Sequence, residues 1–237
     1  MSSTGIIVLA FNEVAALSKT IEEIKKHLLG RNFQILISTS KKATHECQTR
    51  AVLLSELHKE VSVYFQKMPF VGAAVLEAVV ELNTDFIIYM SADGETPAKL
   101  CPVLIDEIEQ GDADIVSASR WITGGSFAHY GVFKWILSAS AQMLCKLVYL
   151  SSLTEFTYGF RIYRHEILKT CMFKEQKHPF FLESLLVPIR LGYKVREIPV
   201  KWVARTEGVS IVNFLTLLGY LIPIFRVRFL RREKLRV

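Results

Sequence analysis

The chain has 237 residues, 51% of them hydrophobic and 22% charged. That length suits one large α/β domain better than two small ones, and no apolar run reaches the roughly 18 residues that mark a transmembrane helix. Residues 226–237 carry six basic side chains against Glu233, a surplus of five out of the chain's formal +6, so the nearly neutral remainder argues against a nucleic-acid face spread over the domain.

Residues 5–11 are predicted as a strand, with Asn12 capping a helix over 13–29 that Gly30 closes. A second buried strand covers 33–37 and runs into Ser38-Thr39-Ser40-Lys41. A helix over 44–59, a short strand over 61–65 and a helix from Gly72 to Leu82 follow. Residues 85–90 form a continuous apolar run suited to a central parallel strand. Pro97 is placed to open a helix running to Gln110, and residues 114–118 give a fifth strand. Strands alternating with helices in this way predict a parallel sheet covered on both faces. Beyond Arg120 the alternation stops. Gly124-Gly125-Ser126 reads as a loop, 133–150 as a long apolar helix and 159–164 as a short strand with alternating sides. A helix over 180–191 ends at Gly192, and a strand over 195–203 carries Pro199, which points to an edge or a bulge.

The chemistry concentrates after the fourth predicted strand, in Ser91-Ala92-Asp93-Gly94-Glu95-Thr96-Pro97. Asp93 and Glu95 fall at the carboxyl end of a strand, where open α/β sheets bind their ligands. Two carboxylates on a short loop offer the hard oxygen ligands that Mg²⁺ or Mn²⁺ takes; the plain alternative is a solvated acidic turn. No signal peptide is expected, because the opening residues lack a charged region and a cleavage site. Cys47, Cys101, Cys145 and Cys171 have no CxxC spacing and read as reduced, buried thiols of a cytosolic protein. The six histidines show no ligand spacing, and Gly72 and the Gly124-Gly125 pair read as ordinary turn glycines. Residues 211–225 are apolar but too short to span a bilayer, and the basic tail follows at once. Such a pair reads either as a segment lying on an anionic membrane surface or as a core helix with a solvated tail.

Taken together, Ile7 to Glu13, Ser91 to Pro97, Ala113 to Trp121, Thr157 to Arg164 and Phe181 to Val200 resemble, in order and spacing, a family 2 glycosyltransferase of the GT-A fold. The likeness is to the dolichyl- or polyprenyl-phosphate sugar (mannosyl) transferase branch. It implies a GT-A domain over 1–210, a Rossmann-like, mostly parallel sheet with helices on both faces. An amphipathic, membrane-surface segment over 211–237 would follow, on the cytoplasmic face. It also implies a nucleotide-sugar donor site lined by Ala10, Asn12, Glu13, Ser38, Ser40 and Ala92, with Asp93 and Glu95 on Mg²⁺ or Mn²⁺. Asp93, Arg120, Arg205 and Glu183 are the implied catalytic residues, with Lys134 a further cation for the phosphates, while Arg161 is implied to be structural. The sequence departs from the family where charge is expected. Ser38-Thr39-Ser40-Lys41 stands in place of Asp-Asp-Gly-Ser, Ser91 in place of the first acid of Asp-x-Asp, and Ile211 in place of a lysine. Three readings stay open: sugar transfer to a polyprenyl or dolichyl phosphate, transfer to a non-lipid acceptor, and a catalytically impaired protein that serves as a binding or regulatory partner.

Overall fold

The computed structural model describes residues 2–127, 131–203 and 219–237, the side chains of Phe133 and Lys134 excepted. Arg205 and the apolar run 211–218 therefore lie outside the described residues. The first half alternates as the sequence predicts: β1 (Thr4–Leu9), α1 (Ala15–His27), β2 (Phe33–Ser40), α2 (His45–Leu57), β3 (Val61–Gln66), α3 (Val71–Glu81), β4 (Phe86–Ser91), α4 (Cys101–Glu109) and β5 (Ile115–Ser119). The second half holds β6 (Ser126–Phe127), α5 (Val132–Tyr149), β7 (Arg161–Arg164), α6 (His165–Thr170), α7 (Phe180–Leu191), β8 (Val195–Pro199), β9 (Lys201–Trp202) and α8 (Leu221–Phe229).

Seven strands form one sheet in the order β3-β2-β1-β4-β7-β5-β8, and β6 pairs with β9 apart from it. Every pairing in the large sheet is parallel except those of β7, which runs antiparallel to both β4 and β5. Alternation along the strands splits the core in two. Ile6, Val8, Ile88 and Met90 face Leu17, Ile21 and Ile24 of α1 and Leu104 of α4, while Ile7, Ile87 and Tyr89 face Val75 and Val79 of α3 and Leu182 and Leu185 of α7. Each fully buried aliphatic side chain of this kind contributes roughly 1.5–3 kcal/mol of transfer free energy.

The structure corrects four local expectations. Asn12 does not cap α1: the cap position is Val14, with no side-chain cap bond, because the Glu13 carboxylate instead accepts the N–H groups of Phe11 and Asn12 and holds the turn open. Pro97 precedes a short 3₁₀ turn, Ala98–Leu100, and Pro102 occupies the first turn of α4. Residues 195–203 divide at Val200 into β8, on the sheet edge as Pro199 suggests, and β9. Strand β7 has no solvent side; inserted between β4 and β5, its Arg161, Ile162 and Tyr163 are all fully buried. The Arg161 guanidinium is satisfied there by Ser117 Oγ at 3.0 Å and by the carbonyls of Phe156 at 2.7 Å and Phe181 at 2.5 Å.

Two connections bear on the site. Strand β1 pairs with β2 on one side and β4 on the other, so the strand order reverses there, at the kind of point where open α/β sheets bind their ligands. Gly72, at the start of α3, is a close-approach glycine rather than a plain turn glycine. Its N–H donates to Gln176 O at 2.6 Å, and an added Cβ would lie 2.7 Å from Phe180 Cβ and 2.8 Å from the Gln176 and Glu175 carbonyl oxygens. Gly72→Ala is expected to cost about 1–3 kcal/mol through overpacking against that backbone. Urea titration should show the loss as a lower midpoint at unchanged slope.

Candidate active site

The acidic loop is built by its own side chains. Ala92 N donates to Leu9 O at 3.0 Å and extends the β1–β4 pairing one step past the strand end. Thr96 Oγ1 then closes the loop, accepting from Ser91 N at 3.2 Å and donating to Ser91 O at 3.3 Å. Gly94 takes φ +86°, a left-handed turn that glycine adopts without steric cost; Glu95 N donates to Asp93 Oδ1 at 3.0 Å across that turn. Ser91, where the family carries an acid, accepts Asp93 N on its Oγ at 3.4 Å. Asp93 is buried and Glu95 half-buried.

Tyr158 joins this loop to a second constellation. Its hydroxyl donates to Glu95 O at 3.1 Å, and burial pushes its phenol well above the ordinary range, so it stays a donor. The Arg120 guanidinium lies 4.8 Å from the Tyr158 ring centroid and 5.1 Å from that of Phe127. Arg120 is itself buried and bidentate on Glu155, with Nε to Oε2 at 2.7 Å and Nη2 to Oε1 at 3.0 Å. Gln142 Nε2 and the N–H groups of Thr157 and Tyr158 also donate to Glu155 Oε1. Burial pushes the Glu155 carboxyl up, but the Arg120 charge and these donors outweigh it and hold the group below its ordinary value. Glu197, one step behind, accepts from Thr154 N and Glu155 N, and there burial wins and raises the carboxyl.

The donor-site residues implied by the resemblance fall at or just beyond the carboxyl ends of β1, β2 and β4. Ala10 N donates to Ser38 O at 3.1 Å, Ser38 Oγ to Ala74 O at 3.2 Å, and Ser40 Oγ accepts Lys42 N at 3.1 Å. Ala92 is buried, with its carbonyl taking the Thr20 hydroxyl. Asn12 is exposed and Glu13 half-buried beside it. Glu183 is engaged differently. Buried at the start of α7, it accepts Lys174 N at 2.8 Å, Glu175 N at 2.7 Å and Arg226 Nη2 at 2.6 Å; burial raises its carboxyl despite those donors. The structure thus ties Asp93, Glu95 and Arg120 together through Tyr158 and ties Glu183 to the C-terminal helix. Sequence reasoning missed Glu155, Tyr158, Gln142 and Glu197. The available signal was a lone charged residue among uncharged ones in Thr154-Glu155-Phe156-Thr157-Tyr158, directly ahead of Gly159.

No group of three or more His, Cys, Asp or Glu side chains gathers for a metal among the described residues. Asp93 and Glu95 offer two carboxylates on one loop. Magnesium is commonly held by one or two carboxylates with substrate phosphates completing its shell, so this pair fits an ion shared with a diphosphate. An open recess of about 660 Å³ lies at the opposite end of the strands, beside the amino end of β4, lined by Asp85, Arg164, His165 and Lys169 among others, and holds none of these residues.

A mostly parallel sheet with an acidic loop at its strand-order reversal is the frame of a GT-A sugar transferase. Residues 5–172 match the model of glycosyl transferase family 2, and the chain belongs to that family. It is similar to the dolichol-phosphate mannosyltransferase of Pyrococcus furiosus, 24% identical over 94% of this chain and 63% of that protein. It is also similar to the undecaprenyl-phosphate mannosyltransferase of Micrococcus luteus, 22% identical over 86% of this chain and 85% of that protein. The chain therefore spans somewhat less than two thirds of the archaeal relative's length. Among solved structures, glucosyl-3-phosphoglycerate synthase from Mycobacterium tuberculosis, with Mn²⁺, UDP and phosphoglyceric acid, superposes with a TM-score of 0.74 at 14% identity, over 97% of this chain and 80% of that one. The same enzyme with Mg²⁺ and UDP gives 0.70 at 13% identity.

Held below its ordinary value of about 4.3, Glu155 contributes stability that is complete above that pH and lost as the pH falls through its own lower range. Glu155→Gln leaves the Arg120 charge buried without its carboxylate, at an expected cost of about 3–5 kcal/mol near neutral pH. Denaturant titrations of both proteins should show that difference shrinking as the pH falls from neutrality through the group's depressed range, where the wild-type carboxyl is itself protonated.

Proposed function

We propose that this protein transfers a sugar, with inversion, from a nucleoside-diphosphate donor to a polyprenyl or dolichyl phosphate at the cytoplasmic surface of a membrane. The observation that carries the reading is the buried Asp93, oriented by Glu95 N–H on a loop at the carboxyl end of β4. The named activities of the two mannosyltransferase relatives support the acceptor class.

The acceptor phosphate oxygen attacks the anomeric carbon as the bond to the donor's diphosphate breaks, and the electron pair leaves with the diphosphate. A phosphate is already an anion near neutral pH, so the site needs alignment and charge stabilisation more than a strong base. Asp93 and Glu95 are the residues that would hold a divalent ion, Mg²⁺ or Mn²⁺, and the ion would supply Lewis-acid stabilisation of the leaving diphosphate. Ala10, Asn12, Glu13, Ser38, Ser40 and Ala92 border the donor nucleotide at the ends of β1, β2 and β4. Tyr158 fixes the acidic loop through Glu95 O, and Arg120, its charge answered by Glu155, steadies the Tyr158 ring. Arg205 is assigned the acceptor phosphate on resemblance. Glu183 serves as a positioning group for the 174–175 backbone and Arg226. Residues 211–237 form the membrane-facing segment appended to the domain.

One observation favours a second reading, a catalytically impaired protein. Arg120 is bidentate on Glu155, and Ser91 replaces the first acid of the loop, so less charge meets a diphosphate. The two readings separate in one experiment. Full-length protein with Mg²⁺ or Mn²⁺ should move radiolabelled sugar from one member of a nucleotide-sugar panel onto polyprenyl phosphate, and Asp93→Ala should lower the rate by about 10²-fold or more. Absence of transfer from every donor, with no nucleotide sugar raising the melting temperature, would establish the impaired reading instead.

A further inference from the structure

Glu183 is one link in a longer chain of contacts. Arg226 Nη2 lies between two carboxylates, 2.6 Å from Glu183 Oε1 and 2.9 Å from Glu175 Oε1. Glu183 Oε2 meanwhile accepts the N–H groups of Lys174 and Glu175. One guanidinium therefore holds a buried acid and a half-buried acid together, and with them the 174–175 backbone. Without it the two carboxylates face each other uncompensated, and Glu175, on a loop, is the one free to swing away. The helix carrying Arg226 is itself fixed. Tyr149 Oη donates to Ile224 O at 2.9 Å and Arg190 Nε to Val227 O at 3.4 Å. Beyond α8 the chain folds back: Met172 N donates to Leu235 O and Val237 N to Thr170 O, both at 2.9 Å, and Leu235 is buried.

Residues 172–177 thus form a strap, tied at one end to residues 235–237 and in the middle to Glu183. Its other end meets α3. Gln176 O accepts Gly72 N at 2.6 Å, and Lys177 Nζ lies 5.0 Å from the centroid of the Phe70 ring. Phe70 needs that support, because its φ of +77° with ψ of 158° is a backbone conformation left almost wholly to glycine. A strained residue persists only where its surroundings over-determine it. Phe70 opens the first turn of α3, and in that turn Ala74 O accepts Ser38 Oγ at 3.2 Å. Ser38 O in turn accepts Ala10 N at 3.1 Å, and both residues border the donor site proposed above.

We propose that Arg226 is a positioning residue for the nucleotide-sugar site, acting through Glu183 and the strap on the strained Phe70 and the first turn of α3. The inference rests on the donor placement given under the proposed function and adds to it a residue from the C-terminal helix. Asp93 and Glu95 keep their own loop whether or not the strap is in place, since Thr96, Ser91 and Tyr158 hold it. Loss of Arg226 therefore weakens donor binding more than it slows the chemical step.

The test compares the full chain with Arg226→Met and Arg226→Lys by amide hydrogen exchange and by donor titration. In Arg226→Met the amides of residues 70–76, Gly72 foremost, should exchange at least about tenfold faster, while those of β1 and β4 keep their wild-type rates. Arg226→Lys keeps the charge and loses the planar fork, so it should fall between the two; if Arg226→Met does not fold, Arg226→Lys carries the comparison. In the transfer assay the donor KM should rise by about fivefold or more in Arg226→Met, with kcat within about twofold of wild type. Unchanged exchange at 70–76 overturns the proposal. So does an equal rise in every segment, which is ordinary loss of stability, or a fall in kcat at constant donor KM. Exchange is read with no donor present, so a chain that transfers no sugar fails the functional reading alone, and the exchange rates still decide the role of Arg226.

Discussion

A guanidinium and a carboxylate shut away from water, Arg120 and Glu155, are the constraint on which the site depends. Neither charge is tolerable in the interior alone, and removing a partner from such a pair is far more costly than the net worth of the pair. Each is therefore answered several times over: the guanidinium by two carboxylate oxygens and two aromatic faces, the carboxylate by a glutamine and backbone N–H groups. The requirement to satisfy both ions draws β5, α5 and the segment before β7 to one point. Tyr158, held in that cluster, then reaches the acidic loop. The order of the loop bearing Asp93 is set from outside the loop as well as within it.

The first half of the fold was legible because its signals are local. Apolar runs of strand length end in loops, helices carry their apolar residues at helical spacing, and Thr44 caps α2 by accepting Cys47 N. The acidic loop was legible for the same reason, since a buried strand that stops abruptly at a pair of carboxylates puts them at the ligand-binding end of an α/β sheet. Strand direction is another matter. Nothing in Arg161-Ile162-Tyr163-Arg164 says that the segment enters between β4 and β5 and runs against both; that follows from where the intervening α5 leaves the chain. The burial of both Arg161 and Tyr163 along with Ile162 could not be read from an alternation that assumes one wet face.

Partners distant in sequence were equally hidden. Glu155 answers a charge 35 residues earlier, and Glu183 answers Arg226, 43 residues later. Periodicity cannot report such pairs, and a lone acid in a loop looks the same whether it is solvated or holds a core ion. The exposure of Ile136, Met143 and Leu147 on α5 was hidden for the opposite reason. A long apolar helix reads as core throughout, and the burial of Gln142 and Cys145 reveals which side faces in.

The insertion of β7 has a consequence for how the chain reaches its native state. By the time residue 91 has left the ribosome, β3-β2-β1-β4 can already assemble, leaving the far edge of β4 with open backbone groups. That edge stays unpaired for a further 70 residues, until β7 is made, and β5 in turn waits for both β7 and β8. Synthesis at about 5–20 residues per second makes the interval several seconds. Over it, an apolar strand edge is a template for pairing with other chains. The late half of this protein thus acts as the cover that protects the early half from aggregation, and truncations that end before β7 expose that edge.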